Sequence, residues 1–462
     1  MIDGWLTLLP ALVAIAFVFW RKDVVTALVL GLFVSEWLLA INQGNYSPVS
    51  GFFAGIERQV SVLSSPGNAR LILFSLLIGA VLAFMQYSGG VSALVQRLVN
   101  SGFASSARRS GLLSFFTGVI VFIESNLSVL TAGILSRGLF DRFNMSRARL
   151  AYIIDSTSAP ICILILLNGW GAFILGIISE FSQDQSPVGI LIATIPLNVY
   201  ALSTLLVVFY TVWSGKVYGP LKIHEQTQQQ TATIQSLPEL EQAGRARDML
   251  IPLAVLVIGM LLFMLFTGNG NIMAGSGSKS VLYATILAII AGFLLLIQQK
   301  RFAYRQVVDM GFKGISDVLP LVAILFLSIG LGASVRELGT GVFISSLVAD
   351  YLPLFMVPAV VFLAGAFASF STGTSWGTFA LLVPIAMPIS IELNLPPSLI
   401  LAAILGGGIF GDHSSPLSDT TAVSSLAAGC DLLDHVKTQL PYALACGVFS
   451  FFAYMVIGWL MI

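Results

Sequence analysis

Four acidic residues lie deep inside apolar stretches of the sequence, where an ionised side chain is costly. They are Glu124, Asp155, Asp412 and Asp419. A charged side chain at the centre of a bilayer costs about 2.5–3.5 kcal/mol on insertion scales, so it requires partners or a bound cation. The cores of these stretches contain no Lys or Arg that could serve as the partner. A bound cation or a proton is therefore the expected source of compensating charge.

Small oxygen-bearing side chains surround these four carboxylates in the sequence. They are Ser125, Asn126, Ser156, Thr157, Ser158, Ser414, Ser415, Ser418, Thr420 and Thr421. Carboxylate, hydroxyl and carbonyl oxygens are the ligands of a hard cation, a preference stated for calcium and magnesium that we extend to sodium by analogy. The sequence therefore predicts a sodium ion at Asp155, Asp412 and Asn126. The further predicted cation ligands are Ser125, Ser156, Thr157, Ser158, Ser414, Ser415 and Asp419. Alternatively, Asp419 only caps the helix that resumes after Pro416.

Two of these segments share one order of residues, an aspartate followed by hydroxyls and a proline. One is 155–160 and the other is 412–416. Proline lacks a backbone donor and interrupts the hydrogen-bond ladder of a helix. We expect the glycines at 406–408 and 411 to loosen the second helix just before its break. Unwound backbone would turn carbonyl oxygens and charged helix ends toward an ion. Each segment is therefore predicted to lie in a broken transmembrane helix.

The composition indicates that lipid is the solvent of this chain. Of its 462 residues, 57% are hydrophobic and 10% are charged, against about 25% charged in soluble domains. Its apolar runs approach the length that crosses about 30 Å of hydrocarbon. The net charge of zero gives no reason to expect a nucleic-acid partner. The three cysteines form no CxxC pattern, and no nucleophile–base pair indicates an enzyme.

The distribution of Lys and Arg predicts that the N-terminus lies outside the cell. In this orientation only Arg58, Arg70, Lys279 and Arg336 lie outside, and the other 18 of the 22 basic residues lie inside. Basic clusters then flank both ends of 111–136 on the cytoplasmic side. A re-entrant hairpin satisfies this arrangement, because two arms of about 12 residues rise about 18 Å each. The alternative is one long crossing helix.

The order of elements predicts an all-α polytopic membrane protein with about ten spans and two inverted repeats. The first repeat covers 1–213, with a re-entrant hairpin at 111–136 and a broken helix at 148–179. A flexible cytoplasmic linker covers 214–248. The second repeat covers 249–462, with a hairpin at 354–392 and a broken helix at 397–428. Such repeats place substrate and ion sites near the midplane of the bilayer.

The tips of the two hairpins are expected to close this midplane site. Ser125 and Asn126 follow Glu124 at the first tip, and a second polar group lies at 371–375. We expect five side chains to line a substrate or proton pathway: Glu124, His413, Thr372, Thr374 and Ser375. A row of small hydroxyl residues such as 372–378 could also be a close-packing helix face.

The segment 411–421, with the sequence GDHSSPLSDTT, resembles the signature of the NhaC family of sodium/proton antiporters. The segments 122–126, 155–160 and 371–377 resemble the other polar segments of that family. The family is similar to the wider ion-transporter superfamily. That resemblance implies inverted repeats, re-entrant hairpins, an elevator-like transport domain, a homodimer and the bacterial inner membrane. The family also includes amino-acid carriers and exchangers of malate for lactate.

These observations favour a secondary transporter that moves sodium by alternating access, with sodium as coupling ion and no other cofactor. Sodium/proton exchange is the first expectation, with a carboxylate that holds either ion in turn. Sodium-coupled transport of an amino acid or small carboxylate is the alternative, because helix N-termini attract anions. An ion channel would require a continuous polar stripe, whereas the polar residues here are confined to the breaks.

Overall fold

The computed structural model is helical, and the part of the chain that it describes contains no strand. It describes residues 4–462 except 22, 91–92, 94–96, 98–104, 123, 166–167, 180, 182–185, 229–243 and 272–274. In the described residues, nine helical segments are long and apolar enough to cross a membrane. A tenth is added if one pair of helices, bent by 52°, forms a single span. The prediction of an all-α membrane protein with about ten spans is confirmed.

The α-helices of the first half are α1 Leu9–Arg21, α2 Val24–Asn42, α3 Pro48–Ser64, α4 Pro66–Tyr87, α5 Ala107–Ile120, α6 Ser125–Arg142, α7 Arg147–Leu164, α8 Gly169–Ile178, α9 Pro187–Ala193, α10 Val199–Ser214 and α11 Gly219–Gln228. Those of the second half are α12 Arg247–Thr267, α13 Gly277–Gln298, α14 Tyr304–Glu337, α15 Thr340–Tyr351, α16 Val357–Thr372, α17 Ser375–Glu392, α18 Pro397–Ser414, α19 Asp419–Ala428 and α20 Leu432–Met461. Short 3-10 turns occupy Gly4–Leu8 and Leu354–Met356.

The helices form two groups that pack mainly within themselves. Helices α2, α3, α4, α12, α13 and α14 form one group, and the hairpins and broken helices pack together in the other. Small residues allow close crossing in the first group. A Cβ atom on Gly79 of α4 would lie 2.2 Å from the carbonyl oxygen of Gly314 on α14. The second group contains all the predicted site residues.

Each predicted hairpin is a pair of helices that pack against each other. Helix α5 ends at Ile120 and α6 begins at Ser125, with Glu124 as the N-cap of α6. Helix α16 ends at Thr372 and α17 begins at Ser375. Gly373 turns the chain between them with a φ of 69°, which favours glycine. That both hairpins enter and leave the membrane on one side stays a prediction.

The first broken helix does not break where the sequence predicts. Helix α7 runs unbroken through 155–160 with Pro160 inside it, and the bend lies between Leu164 and Gly169. Pro160 removes only one backbone donor. The hydroxyls of Thr157 and Ser158 bond back to carbonyls one turn earlier and do not unwind the helix. In the second broken helix, α18 ends at Ser414 and α19 begins at Asp419, so the break contains Pro416 as predicted.

The glycines of α18 serve close packing, so the prediction that they loosen the helix is wrong. They lie within regular helix. A Cβ atom on Gly407 would lie 2.2 Å from the carbonyl oxygen of Phe362, and one on Gly411 would lie 2.2 Å from that of Ala366. Both carbonyls belong to α16. The glycines thus bring the first arm of the second hairpin into backbone contact with the helix that carries Asp412.

Part of the predicted linker 214–248 is the helix α11, and 229–243 lies outside the described residues. Glu225 accepts hydrogen bonds from Ser146 at 2.8 Å and from Arg149 at 3.2 Å, both at the start of α7. His224 lies 3.5 Å from Asp434 in the first turn of α20. Helix α11 therefore connects the starts of α7 and α20.

Candidate functional site

The break between α18 and α19 is held by the second hairpin. The hydroxyl of Ser415 donates to the carbonyl of Phe370 on α16 at 2.6 Å. The turn of that hairpin comes so close that a Cβ atom on Gly373 would lie 2.3 Å from the carbonyl oxygen of Leu417. Ser418 caps α19 by accepting from the backbone N–H of Thr421 at 3.2 Å. These contacts fix the four-residue break next to the hairpin tip.

Asp412 has an acceptor that the protein leaves unused. The residue is fully buried in the last turn of α18. Its Oδ2 accepts from the hydroxyl of Thr420 at 3.3 Å, while its Oδ1 is buried and has no hydrogen-bond partner in the part of the chain that the structure describes. Asp419 is exposed, and its Oδ1 accepts from the backbone N–H of Thr420 at 3.0 Å. Thr420 thus bridges an exposed carboxylate and a buried one.

The tip of the first hairpin lies beside Asp419 and completes the Asp412 group, which also contains Asp412, Asp419 and Thr420. The carboxylate of Glu124 caps α6 by accepting from the backbone N–H groups of Asn126 at 2.9 Å and Leu127 at 2.6 Å. The buried hydroxyl of Ser125 lies 3.4 Å from the same carboxylate. The side chain of Asn126 lies beside Asp419, and its buried Oδ1 has no hydrogen-bond partner within the described ranges. Two unused acceptors therefore belong to residues that flank Asp419.

Helices α6 and α19 lie side by side with their N-termini at this group. A Cβ atom on Gly133 of α6 would lie 2.6 Å from that of Ala427 on α19. Arg137 of α6 donates to the carbonyls of Leu426 at 2.6 Å and of Ala427 at 2.7 Å, at the other end of α19. A carboxylate is favourable at a helix N-terminus and a cation at a C-terminus. Glu124, Asp419 and Arg137 follow this rule.

Asp155 has side-chain partners on two other helices. It is completely buried in the middle of α7. Its Oδ1 accepts from Ser424 at 3.1 Å, and its Oδ2 accepts from Gln439 at 2.6 Å and lies 3.3 Å from Nε2 of His435. Ser424 belongs to α19, and Gln439 and His435 belong to α20. A shared carboxylate therefore links three helices.

Sequence reasoning missed the partners of Asp155. His435 and Gln439 are four residues apart, so they lie on one face of a helix. A polar pair at this spacing in the last apolar span was the signal that could have found them. Asn168 was also missed, although it caps α8 and donates to the carbonyl of Phe122 in the first hairpin at 2.8 Å.

Most of the predicted hydroxyl ligands bond to backbone carbonyls instead of facing the unused acceptors. Thr157 donates to Ile153, Ser158 to Ile154 and Ser414 to Phe410, each one turn earlier in its helix. Ser156 donates to Oε1 of Gln439 at 3.4 Å. At the second hairpin, Thr372 donates to Ala368 at 3.0 Å, Thr374 caps α17, and Ser375 is buried. His413 is buried with Nδ1 3.1 Å from the hydroxyl of Tyr200.

A second pair of helix N-termini carries neutral caps. They are those of α8, capped by Asn168, and of α17, capped by Thr374. The rings of Trp170 and Trp376, one from each helix, lie 4.8 Å apart. Trp170 is buried, and its Nε1 has no hydrogen-bond partner among the described residues. Among the described residues, the N-termini of α8 and α17 therefore lie beside an unused N–H donor, whereas the Asp412 group has unused oxygen acceptors.

Within the described residues, no three His, Cys, Asp or Glu side chains are grouped to hold a metal ion. A sodium site does not require such a group, because neutral oxygens are also ligands of hard cations. The sodium ion at Asp155, Asp412 and Asn126 stays a prediction.

Solved structures of two transporters share the fold. MtrF of Neisseria gonorrhoeae, described as one of a class of antimetabolite efflux pumps, matches with a TM-score of 0.61 and 16% identity over 89% of this chain and 85% of that protein. The YdaH transporter of Alcanivorax borkumensis matches with a TM-score of 0.60 and 13% identity over 88% and 89%. At such low identity these similarities show the fold alone.

Sequence relatives extend over the whole chain or over part of it. A protein of Haemophilus influenzae described as uncharacterized is 31% identical over 98% of this chain and 90% of its own length. The arginine/ornithine antiporter ArcD of Halobacterium salinarum is 35% identical over 34% of this chain and 33% of its own. The malate-2H(+)/Na(+)-lactate antiporter of Bacillus subtilis is 31% identical over 34% of each.

The model of the Na+/H+ antiporter family matches residues 161–459, which include Asp412 and Asp419. This match covers more than half of the chain and confirms the resemblance that the polar segments indicate. The chain therefore belongs to the Na+/H+ antiporter family and is a multi-pass membrane transporter.

Proposed function

We propose that this transporter exchanges sodium for protons by alternating access, and that Asp412 holds the sodium ion. The observation that carries the proposal is the unused Oδ1 of Asp412 in a fully buried position. A buried charge without compensation is strongly unfavourable. A sodium ion between this oxygen and Oδ1 of Asn126 would supply both the charge and the missing contacts.

Asp419 suits a role at the entrance of this site. It is exposed, and Thr420 connects it to the buried Asp412. The two carboxylates interact electrostatically. A cation from water would first meet Asp419 and then pass to Asp412 as it loses its water shell. Asp419 and Glu124 would lower the cost of bringing a positive ion to this depth.

A proton can replace sodium at Asp412 because both ions neutralise the same carboxylate. Glu124, Asp155 and Asp412 each interact electrostatically with another acid of the group. Neighbouring carboxyl groups cannot all remain ionised without a cost in free energy. Release of sodium would therefore be accompanied by uptake of a proton, which is the requirement for exchange.

The test is transport in proteoliposomes with the sodium and pH gradients varied independently. An imposed sodium gradient should drive proton movement in the opposite direction. The sodium concentration at half-maximal rate should rise about tenfold for each unit of pH decrease once protons occupy the site, as linkage requires for one shared site. Sodium flux that neither moves protons nor depends on pH would contradict the proposal.

The proposal extends to the membrane arrangement. We place the N-terminus outside, the first hairpin as a gate on the cytoplasmic side and the second as a gate on the outer side of a bacterial inner membrane. The distribution of Lys and Arg supports this orientation. We further propose a homodimer in which the hairpins and broken helices move against the group formed by α2–α4 and α12–α14.

A second candidate is sodium-coupled transport of an amino acid or small carboxylate. The neutral N-termini of α8 and α17 would suit an anionic group, and Nε1 of Trp170 beside them has no hydrogen-bond partner among the described residues. Two relatives are described as antiporters of such compounds. If an organic compound is transported, it should raise sodium affinity, and sodium should raise its affinity by the same factor. Sodium-binding measurements with a panel of amino acids and small carboxylates separate the two candidates.

A further inference from the structure

Helix α20 passes behind both broken helices and presents one buried amide to them. It is continuous from Leu432 to Met461 and contacts α7, α18 and α19. Gln439 lies two turns into this helix and is 1% exposed. An amide buried this deeply is expected to be satisfied by hydrogen bonds, and its partners show what it holds in place.

The amide of Gln439 connects the two broken helices. Its Nε2 donates to Oδ2 of Asp155 on α7 at 2.6 Å and to the backbone carbonyl of His413 on α18 at 3.0 Å. Its Oε1 accepts from the hydroxyl of Ser156 at 3.4 Å. Both hydrogens of the amide are therefore used, one by each broken helix.

The backbone carbonyl of His413 lies in the last turn of α18, where it needs a partner outside the helix. The last four carbonyls of a helix have no partner within the helix, and α18 ends one residue later at Ser414. The side chain of His413 is held separately by Tyr200. Asp412 directly precedes His413, so the bond from Gln439 fixes the turn of backbone from which Asp412 projects.

We infer that Gln439 is a positioning residue of the cation site, which sets sodium affinity by holding the end of α18 against Asp155 without contacting the ion. This inference rests on the proposed function. It also gives Asp155 a distinct part, as the fixed point on α7 to which the amide is attached. Loss of such a positioning contact weakens sodium binding equally in the ground state and the transition state. The KM for sodium therefore rises, and the maximal rate is unchanged.

The test compares Gln439→Met with Thr438→Val in the full chain. Methionine keeps the length of the side chain and removes its donors. Thr438 is the matched control, because it is 2% exposed and, within the described part of the chain, its hydroxyl bonds to carbonyls of its own helix alone. Gln439→Met should raise the sodium KM by about tenfold or more, the scale of a hydrogen bond to a charged group, with little change in maximal rate. It should also change the ratio of lithium to sodium affinity, which a general loss of stability would not.

Gln439→Asn is a second variant that keeps a polar group but is too short to reach both partners, and it should shift the sodium KM in the same direction. Direct sodium binding to the purified chain gives a readout that does not depend on transport. If Gln439→Asn or Gln439→Met kept the wild-type sodium affinity and the wild-type ratio of lithium to sodium affinity, this inference would be overturned and the proposed function would stand. An equal loss of sodium affinity in Thr438→Val would have the same consequence. A wild-type chain that binds no sodium would overturn the proposed function and this inference with it.

Discussion

Asp155 and Asp412 are both completely buried, yet the protein treats their carboxylates differently. Asp155 accepts from Ser424 and Gln439 and contacts His435, whereas one oxygen of Asp412 has no partner among the residues that the structure describes. The sequence could not distinguish them, because both precede hydroxyls and a proline. The difference arises from α19 and α20, whose side chains reach Asp155 across a distance of more than 250 residues in sequence.

The two aspartates should therefore respond differently to removal of charge. Asp412→Asn should weaken sodium binding by about a hundredfold or more, since loss of one member of a buried ion pair costs about 3–5 kcal/mol. Asp155→Asn should bind sodium nearly as the wild type does. Its amide oxygen can accept from Gln439 and its NH2 can donate to the hydroxyl of Ser424. Sodium binding measured on both purified variants checks this, and an equal loss would make Asp155 a ligand, as the sequence indicates.

Cys430 lies between α19 and α20, and its thiol should react slowly with alkylating reagents at neutral pH. Burial, together with Asp434 and Asp431, raises the pKa of its thiol to about 12. The thiolate is the reactive form, so alkylation at neutral pH should be slow and should accelerate as the pH rises toward that value. Maleimide labelling of the wild-type chain between pH 7 and 10 checks this. Fast labelling of Cys430 at pH 7 would contradict it. Cys162 and Cys446 are buried.

At the scale of the helix, the second break contains Pro416 as predicted, and a pair of helices occupies each predicted hairpin, whose re-entrant course stays a prediction. Glu124 caps α6 at the predicted tip of the first hairpin, and Gly373 turns the chain within the predicted tip of the second. Ser418 caps α19, so the alternative in which Asp419 is the cap is wrong. The sequence predicts the first break at Pro160, but one proline removes only one backbone donor, and α7 continues through it. The actual position of the break depends on Asn168, which bonds to the first hairpin, and such a contact between distant segments is not visible in a local pattern.

The two prolines should consequently differ in their importance. Pro160→Ala restores a donor inside the continuous helix α7, and it should preserve sodium affinity while stabilising the protein by up to about 3 kcal/mol, the cost of an internal proline. Pro416→Ala permits α18 to extend and would displace Ser418 and Asp419, so it should weaken sodium binding. Thermal unfolding and the sodium KM of each variant check both statements. Loss of sodium affinity in Pro160→Ala with Pro416→Ala unaffected would reverse this assignment.

At the scale of the whole molecule, the distribution of Lys and Arg predicts that both ends of the first hairpin lie on the cytoplasmic side. Cysteines placed at Ser105 before α5 and at Asn144 after α6, both exposed, should resist an impermeant reagent applied outside intact cells. A cysteine at Gly44, which is also exposed, should react. Because the native thiols are quiet or buried, these variants need no cysteine-free background. Labelling of Asn144→Cys from outside would require 111–136 to cross the membrane.

Helix α11 ends the first half of the chain and contacts one helix of each half. Glu225 accepts hydrogen bonds from Ser146 and Arg149 at the start of α7, and His224 lies close to Asp434 of α20. The backbone N–H of Tyr218, just before α11, also donates to the hydroxyl of Tyr442 on α20 at 2.6 Å. The two halves are thus joined by surface contacts as well as by the covalent chain. A gene divided within 229–243 should therefore yield two polypeptides that assemble in the membrane and co-purify. The yield of that complex should fall when Glu225 and His224 are both replaced by alanine.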